Sequence, residues 1–273
     1  MRLAVSGLFV CLAAGLLPGV QPLRAADAPR AAPPAAPPET SPTTPQAGFD
    51  PVAYRLLRSA LDRLSSAKAF SFVAEVTSDT TLPSGQRVQF TGRIETELRR
   101  PDRLRVSYDG EQRSTRSWYD GKSFTLLDVG TNVYACYPSA ASLEDFLGGM
   151  RDKLGFTPPL ALLLREDPAK RAFARIRRGF AVGSATMGGT TVEHLAFSGD
   201  KSDWQFWIEG GLQPTIKRIV VSFREQPATP EFSATFLSWD FSPNLGDDLF
   251  TFAPPAGATQ CDFRLMPETG GTP

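Results

Sequence analysis

The segment QRVQFTGRIETELRR, Gln86–Arg100, decides the fold. Its apolar residues Val88, Phe90, Ile94 and Leu98 share one face of an extended strand, with Gly92 and Thr96 between them. Gln89, Thr91, Arg93, Glu95, Glu97 and Arg99 take the other face. Period two sustained over this length means one dry face and one wet face. That is the mark of an antiparallel sheet, not of a parallel sheet covered on both sides. The charges Arg93, Glu95, Glu97 and Arg99 are then expected as cross-strand ion pairs on the outside, not as catalytic carboxylates.

Outward from this strand, turn signals recur about every ten residues, the spacing of a meander. Leu82-Pro83-Ser84-Gly85 precedes it, behind a strand that starts at Ala69 and alternates Phe70, Phe72, Ala74 and Val76. Arg100-Pro101-Asp102, Asp109-Gly110 and Asp120-Gly121 follow, separating runs that end near Tyr108, Trp118-Tyr119 and Leu127. Val133–Tyr137 closes this series. After a helical stretch, strands are expected again at Phe180–Met187, Thr191–Ser198, Trp204–Glu209, Thr215–Phe223 and Phe232–Phe241. Asp248–Phe252 reads as a last short strand.

A sheet with one dry face needs a cover, and the sequence supplies helices. Asp50-Pro51 opens an amphipathic helix to about Ser65, with Asp50 as N-cap and Pro51 in the first helical position. Its stripe is Val52, Leu56, Leu57, Ala60, Leu61 and Leu64; Arg55, Arg58 and Arg63 read as a solvated face. Ser142–Asp167 interrupts the strands. Leu143, Phe146, Leu147, Met150 and Leu154 fall at steps of three and four, behind Ser142 as N-cap and with Gly155 as stop. A short second helix is expected over Pro159–Arg165, and a basic, partly helical piece over Lys170–Arg178. The fold class is therefore mostly β with helices (α+β): a curved antiparallel sheet with helices in its hollow.

The flanks are of a different kind. Residues 1–25 have a positive start, an apolar run and small residues at Ala25-Ala26, the order of a cleaved export signal. Val10 before Cys11 is not the small residue that a lipid-attachment site needs. Residues 26–48 are rich in Pro and Ala and read as a disordered linker. The folded unit is expected over 49–263, with a flexible tail at 264–273. Acidic and basic residues balance at 29 each, and losing Arg2 and Arg24 with the signal leaves the mature chain slightly acidic. Such a chain has no basic surplus with which to hold a phosphate backbone, so no nucleic acid is expected. The reading is of a periplasmic protein that is not integral to the membrane.

No chemistry emerges from the motifs. His194 stands alone in TTVEHLAF and no cysteine pair has ligand spacing, so no metal or other cofactor is expected. Gly-x-Ser-x-Gly, Gly-x-Gly-x-x-Gly and phosphate-loop patterns are missing, and the chain reads as no enzyme, with no catalytic residues. His194 reads as a strand residue with a hydrogen-bonded ring. Two cysteines remain after the signal, in a compartment where disulfides persist, so Cys136–Cys261 is the expected bridge, with two separate thiols as the alternative.

The closing LGDDLFTFAPPAGA (Leu245–Ala258) resembles the end of the LolA/LolB-like periplasmic lipoprotein-carrier superfamily, and WIEGGLQPTIKRIVVSF (Trp207–Phe223) is similar to its strand-turn-strand pattern. The helix DPVAYRLLRSALDRLSSAKAFSF and the long polar-out strand look closest to the predicted periplasmic family of domain of unknown function 2092. The resemblance covers about Phe49–Phe263 and implies a half-barrel with helices packed in its concave face. It further implies a carrier of a lipid-like or lipoprotein ligand, with acyl chains or another envelope protein as partners. An apolar lining of Phe90, Ile94, Leu143, Phe146, Leu147 and Met150 is expected. The alternative is a structural or interaction module of the envelope whose core is filled and holds no ligand; Trp204, Trp207, Trp239 and Phe241 fit either.

Overall fold

The computed structural model describes residues 50–82, 84–139, 141–154, 158 and 160–263, with no account of the side chains at 151, 153 and 154. The export signal, the linker and the tail after 263 lie outside these residues, as do Gly155 and Pro159.

The chain is mostly β. Twelve strands form one open sheet in the order β12-β6-β5-β4-β3-β2-β1-β11-β10-β9-β8-β7. One meander runs from β1 (Ala69–Thr81) through β2 (Arg87–Arg99), β3 (Arg103–Gly110), β4 (Ser114–Tyr119), β5 (Ser123–Asp128) and β6 (Val133–Pro138). A second runs from β7 (Ile176–Met187) through β8 (Thr190–Gly199), β9 (Ser202–Glu209), β10 (Thr215–Phe223) and β11 (Glu231–Asp240). Antiparallel pairing of β1 with β11 joins them. The sheet is not antiparallel throughout: β12 (Thr259–Cys261) lies parallel to β6.

Alternation in the sequence sets which face is dry. Phe70, Phe72, Ala74 and Val76 of β1 are buried, and the register carries their face across to Leu98, Thr96, Ile94 and Gly92 of β2. Three α-helices among the described residues contribute to the same core: α1 (Pro51–Ser66), α2 (Leu143–Leu154) and α3 (Pro168–Phe173). The Asp50 carboxylate accepts from the Val52 amide at 2.8 Å and from the Ala181 amide at 3.1 Å, so one side chain caps α1 and ties it to β7. Those contacts, with burial offsetting them, hold the Asp50 carboxyl below the usual range. Ala53, Leu57, Ala60, Leu61 and Leu64 are buried. Val52, expected in the stripe, is instead exposed, because Ala53, four residues before Leu57, takes the inward place. The expected helix over Pro159–Arg165 is a single 3-10 turn, Ala161–Leu164, and α3 starts at Pro168 behind Asp167, whose carboxylate accepts from the Lys170 amide.

The wet face carries the expected charges with a different pairing. Glu97 crosses to Arg105 on β3 at 3.0 Å, whereas Arg93 pairs along its own strand with Glu95 at 3.0 Å. Arg99 pairs with Asp247, on a C-terminal strap that crosses this face. The strap corrects the expected Phe-x-Phe strand. Asp247–Phe250 is a 3-10 turn, Phe250 is buried, and Phe252 lies between Trp118 at 5.0 Å and Tyr134 at 4.9 Å.

The expected disulfide is not formed: Cys136 and Cys261 are free. Parallel register sets Cys261 opposite Ala135, so its side chain shares the face of Ala135. Cys136 is the next residue along and therefore faces the other side of the sheet. The two thiols are on neighbouring strands and opposite faces.

Candidate functional site

The six residues expected to line an apolar site fall into two groups. Leu143, Phe146, Leu147 and Met150 are all at most 2% exposed. Their helix is seated by the residues around it. Ser142 Oγ accepts from the Asp145 amide at 3.1 Å, the N-cap bond, and donates to the Asp145 carboxylate at 2.9 Å. Phe146 stacks on Tyr119 with ring centroids 4.5 Å apart and meets Phe124 at 5.1 Å. The Tyr119 hydroxyl donates to the Ser139 carbonyl at 3.1 Å and to the Ala141 carbonyl, fixing the chain that enters α2. Burial pushes the Tyr119 phenol up from its ordinary pKa.

Charges hold the other side of α2. Glu144 accepts from Arg165 at 3.2 Å, from Arg171 at 2.7 Å and from the Glu166 amide at 3.1 Å. Gly148 is exposed beside this cluster, and a Cβ there would meet only the Arg165 guanidinium, at an ordinary 3.5 Å. Gly148→Ala is therefore expected to stabilise the protein by about 0.5–1 kcal/mol, the helix-propensity difference. A raised urea midpoint at unchanged slope checks it. A lowered midpoint would mean that the glycine is kept for a conformation other than this helix.

Phe90 and Ile94 form the second group. They lie on the dry face of β2 but are only half-buried. Their exposure belongs to a gradient along three strands. Leu98, Leu104 and Tyr119, at the α2 end, are at most 5% exposed. Further along the same face Ile94, Phe90 and Val88 of β2, and Val106 and Tyr108 of β3, are only partly covered. The corresponding residues of the second meander, Phe197, Val221 and Phe232, are buried. Phe146 meets Tyr119 and Phe124 at the closed end. The dry face thus has a covered end holding α2 and a partly open apolar end around Phe90.

Sequence reasoning missed Tyr108, which shapes that open end. Its ring lies over Gly92 and Gly110, where a Cβ on either glycine would collide with it. The aromatic fills the space that two paired glycines leave empty. The signal was present, in a glycine on each of two adjacent strand runs with a tyrosine between them.

Two open cavities lie elsewhere. One of about 590 Å³ runs over the wet face at Glu75, Arg93, Asp109 and Glu111. A smaller one opens beside Arg63 and Trp239. Neither is lined by any of the six expected residues. His194 stacks on Trp207 at 4.1 Å and its Nε2 is 2.9 Å from Gln205 Oε1, as a hydrogen-bonded strand residue. Among the described residues no group of three or more His, Cys, Asp or Glu side chains could hold a metal ion, and no helix is long and apolar enough to cross a membrane.

Comparison with known proteins yields a family match. The model described as "Predicted periplasmic protein (DUF2092)" matches residues 53–264. No curated protein matches the chain. Among solved structures, an uncharacterised conserved protein from Thermus thermophilus is 12% identical, covering 77% of this chain and 99% of its own, with a TM-score of 0.43. The lipoprotein LppX of Mycobacterium tuberculosis is 13% identical over 72% of this chain and 100% of its own, with a TM-score of 0.44. A LolA superfamily protein from Nitrosomonas europaea is 11% identical over 73% and 97%, with a TM-score of 0.36.

Proposed function

The chain belongs to the domain of unknown function 2092 family of predicted periplasmic proteins, and from that premise we propose that it is a non-enzymatic binding protein for a lipid-like ligand. In this reading the sheet is a half-barrel, the helices fill one end of its hollow, and the ligand's apolar chain lies on the open end. The single observation that carries it is the burial gradient on β2 and β3. Ile94, Val106 and Tyr108 are partly buried against the core, and Phe90 follows on the same face of β2, an apolar surface that the described helices leave partly uncovered. An exposed apolar surface continuous with a core is where a ligand gains most by burial, about 25 cal/mol per Å² covered. The α2 residues are then a fixed plug that shapes the closed end, and they do not touch ligand.

A second reading, an envelope interaction module with a filled core, is favoured by one specific observation. Leu143, Phe146, Leu147 and Met150 leave no room where the expected lining would have placed a ligand.

One experiment separates the two. The binding reading expects an apolar fluorescent probe to bind the native protein saturably, and Phe90→Asp to weaken that binding at least tenfold. The partly exposed position should cost the fold no more than about 1–2 kcal/mol, an ordinary mutational loss. Native mass spectrometry of protein purified from periplasm should show a co-purifying apolar molecule on the wild type and none on the variant. No saturable probe binding by the folded wild type would leave the interaction module standing alone.

A further inference from the structure

The sheet forks beside the end of α1. Strand β10 begins at Thr215 and β11 runs on to Asp240, yet they pair only from Arg218↔Thr235 to Ser222↔Glu231. Below that point β10 follows β9, with a register shift at Lys217, and β11 follows β1, with a register shift at Leu237. Two extra residues on facing strands splay them apart, and such bulges recur beside functional sites. The Trp239 indole spans the gap, donating to the Ile216 carbonyl at 2.8 Å. A cavity of about 170 Å³ opens in the fork.

The charges around this cavity do not balance. Lys217 and Glu209 pair at 2.9 Å. Arg63, expected in the sequence as part of a solvated helix face, instead reaches over the Phe241 ring with its guanidinium carbon 3.7 Å from the centroid. Its hydrogen-bond partners among the described residues are all neutral. Nη1 donates to the carbonyl of Gln213 at 2.8 Å and to Thr215 Oγ1 at 2.5 Å, and Nη2 donates to Gln213 Oε1 at 3.0 Å. Burial lowers its pKa from the usual arginine value, and only Glu209, already taken by Lys217, opposes that. The turn at Gln213 uses one edge of the guanidinium. Nε–H and the second Nη2 hydrogen have no partner among the described residues, and together they are the fork that grips a carboxylate bidentately. The remaining wall offers Phe236, Trp239 and the Ser238 backbone stretch.

We propose that this fork binds a small organic monocarboxylate, held bidentately by the free edge of Arg63 with its apolar body against Phe236 and Trp239. The chemistry selects the charge and the size. A second negative charge would meet Glu209, and a body much larger than the cavity of about 170 Å³ would stand out in solvent. The site shares no residue with the apolar surface on β2 and β3, so it stands or falls independently of the lipid-like ligand.

Butyrate is the probe, and butyramide its neutral isostere, titrated by calorimetry into the full mature chain. Wild type is expected to bind butyrate saturably and at least tenfold more tightly than butyramide. Arg63→Gln should lose butyrate binding by at least tenfold, and Glu209→Gln, which removes the competing carboxylate, should tighten it severalfold. Because Arg63 also holds the Gln213 turn, the wild-type comparison decides the matter even if that variant does not fold. Equal binding of the two probes, or no saturable butyrate binding, overturns the proposal.

Discussion

Replacing Phe146 by aspartate is expected to destabilise the folded state by at least about 4 kcal/mol. Truncating a buried phenylalanine already costs about 3–5 kcal/mol. Aspartate adds an unpaired charge, whose burial costs several kcal/mol more or forces the carboxyl to protonate. Phe146 is 1% exposed, stacked on Tyr119 and packed on Phe124, aromatic neighbours that offer a carboxylate no countercharge. Against a typical total stability of about 5–15 kcal/mol, the loss is a large share of what a domain has. Phe146→Leu is the control and should cost no more than about 1.5 kcal/mol, as a tolerated apolar swap. Urea unfolding followed by far-ultraviolet circular dichroism reads both. An aspartate variant within about 1 kcal/mol of wild type would mean that α2 lifts away easily. It would then be a lid over the closed end, and the ligand site would move from Phe90 to Phe146.

The strands were legible because their signals are local. Alternation at Phe70–Val76 and Val88–Leu98, with the Asp120-Gly121 turn, gave ten of the strands close to their observed bounds, although the expected Asp109-Gly110 turn lies inside β3 and the chain turns just after it. The start of α1 was legible for the same reason, since Asp50-Pro51 carries its cap in two residues. Illegible features depend on distant partners. β12 is three residues long and exists because β6 has a free edge beside it. Phe250 and Phe252 read as a strand until Arg99, Trp118 and Tyr134 claim them. The cysteines could be counted, but the one-residue offset that separates their faces is a register between strands more than 120 residues apart.

The site shows the same divide. Apolar periodicity on α2 marked four residues that are buried, but could not say that they would be sealed while Phe90 and Ile94 were left partly open. Whether a surface is covered depends on which end of the sheet a helix reaches, and no local pattern encodes that. Arginines were the least readable of all. Arg58 makes a surface pair with Asp62 four residues on, whereas Arg63, one and a half turns later, spans to Gln213. Side by side in sequence they look alike, and only the fold tells a solvated charge from an anchoring one.

Arg100 is the sharpest case, and Arg100→Met is expected to cost about 3 kcal/mol. The residue lies in the turn between β2 and β3, and its guanidinium reaches the ends of two helical segments. It donates to the carbonyls of Leu64 and Ala67 at 3.3 Å, at the end of α1. It also donates to Arg165 O at 2.7 Å and, more weakly, to Leu164 O at 3.5 Å, where the 3-10 turn ends. These are the orphan carbonyls that every helix end exposes, and a cation there also meets the negative end of the dipole. Burial pulls the Arg100 pKa down, with Glu166 and Glu144 opposing, so the group stands in a partly dry place where lost bonds are not replaced by water. Hydrogen bonds to a charged group contribute about 1.5–3 kcal/mol each at best. The arginine's own desolvation offsets part of that, which holds the net near the stated value. Methionine keeps much of the stem and isolates the guanidinium. Lysine restores the charge but not the planar fork, and should recover less than half of the loss. Arg93→Met, on the wet face beside Glu95, is the reference for an exposed pair and should cost under about 0.5 kcal/mol. The urea midpoints should rank wild type and Arg93→Met together, then Arg100→Lys, then Arg100→Met. If Arg100→Met unfolds with Arg93→Met, the two helix ends are held by the apolar packing of Leu64 and Leu164 alone.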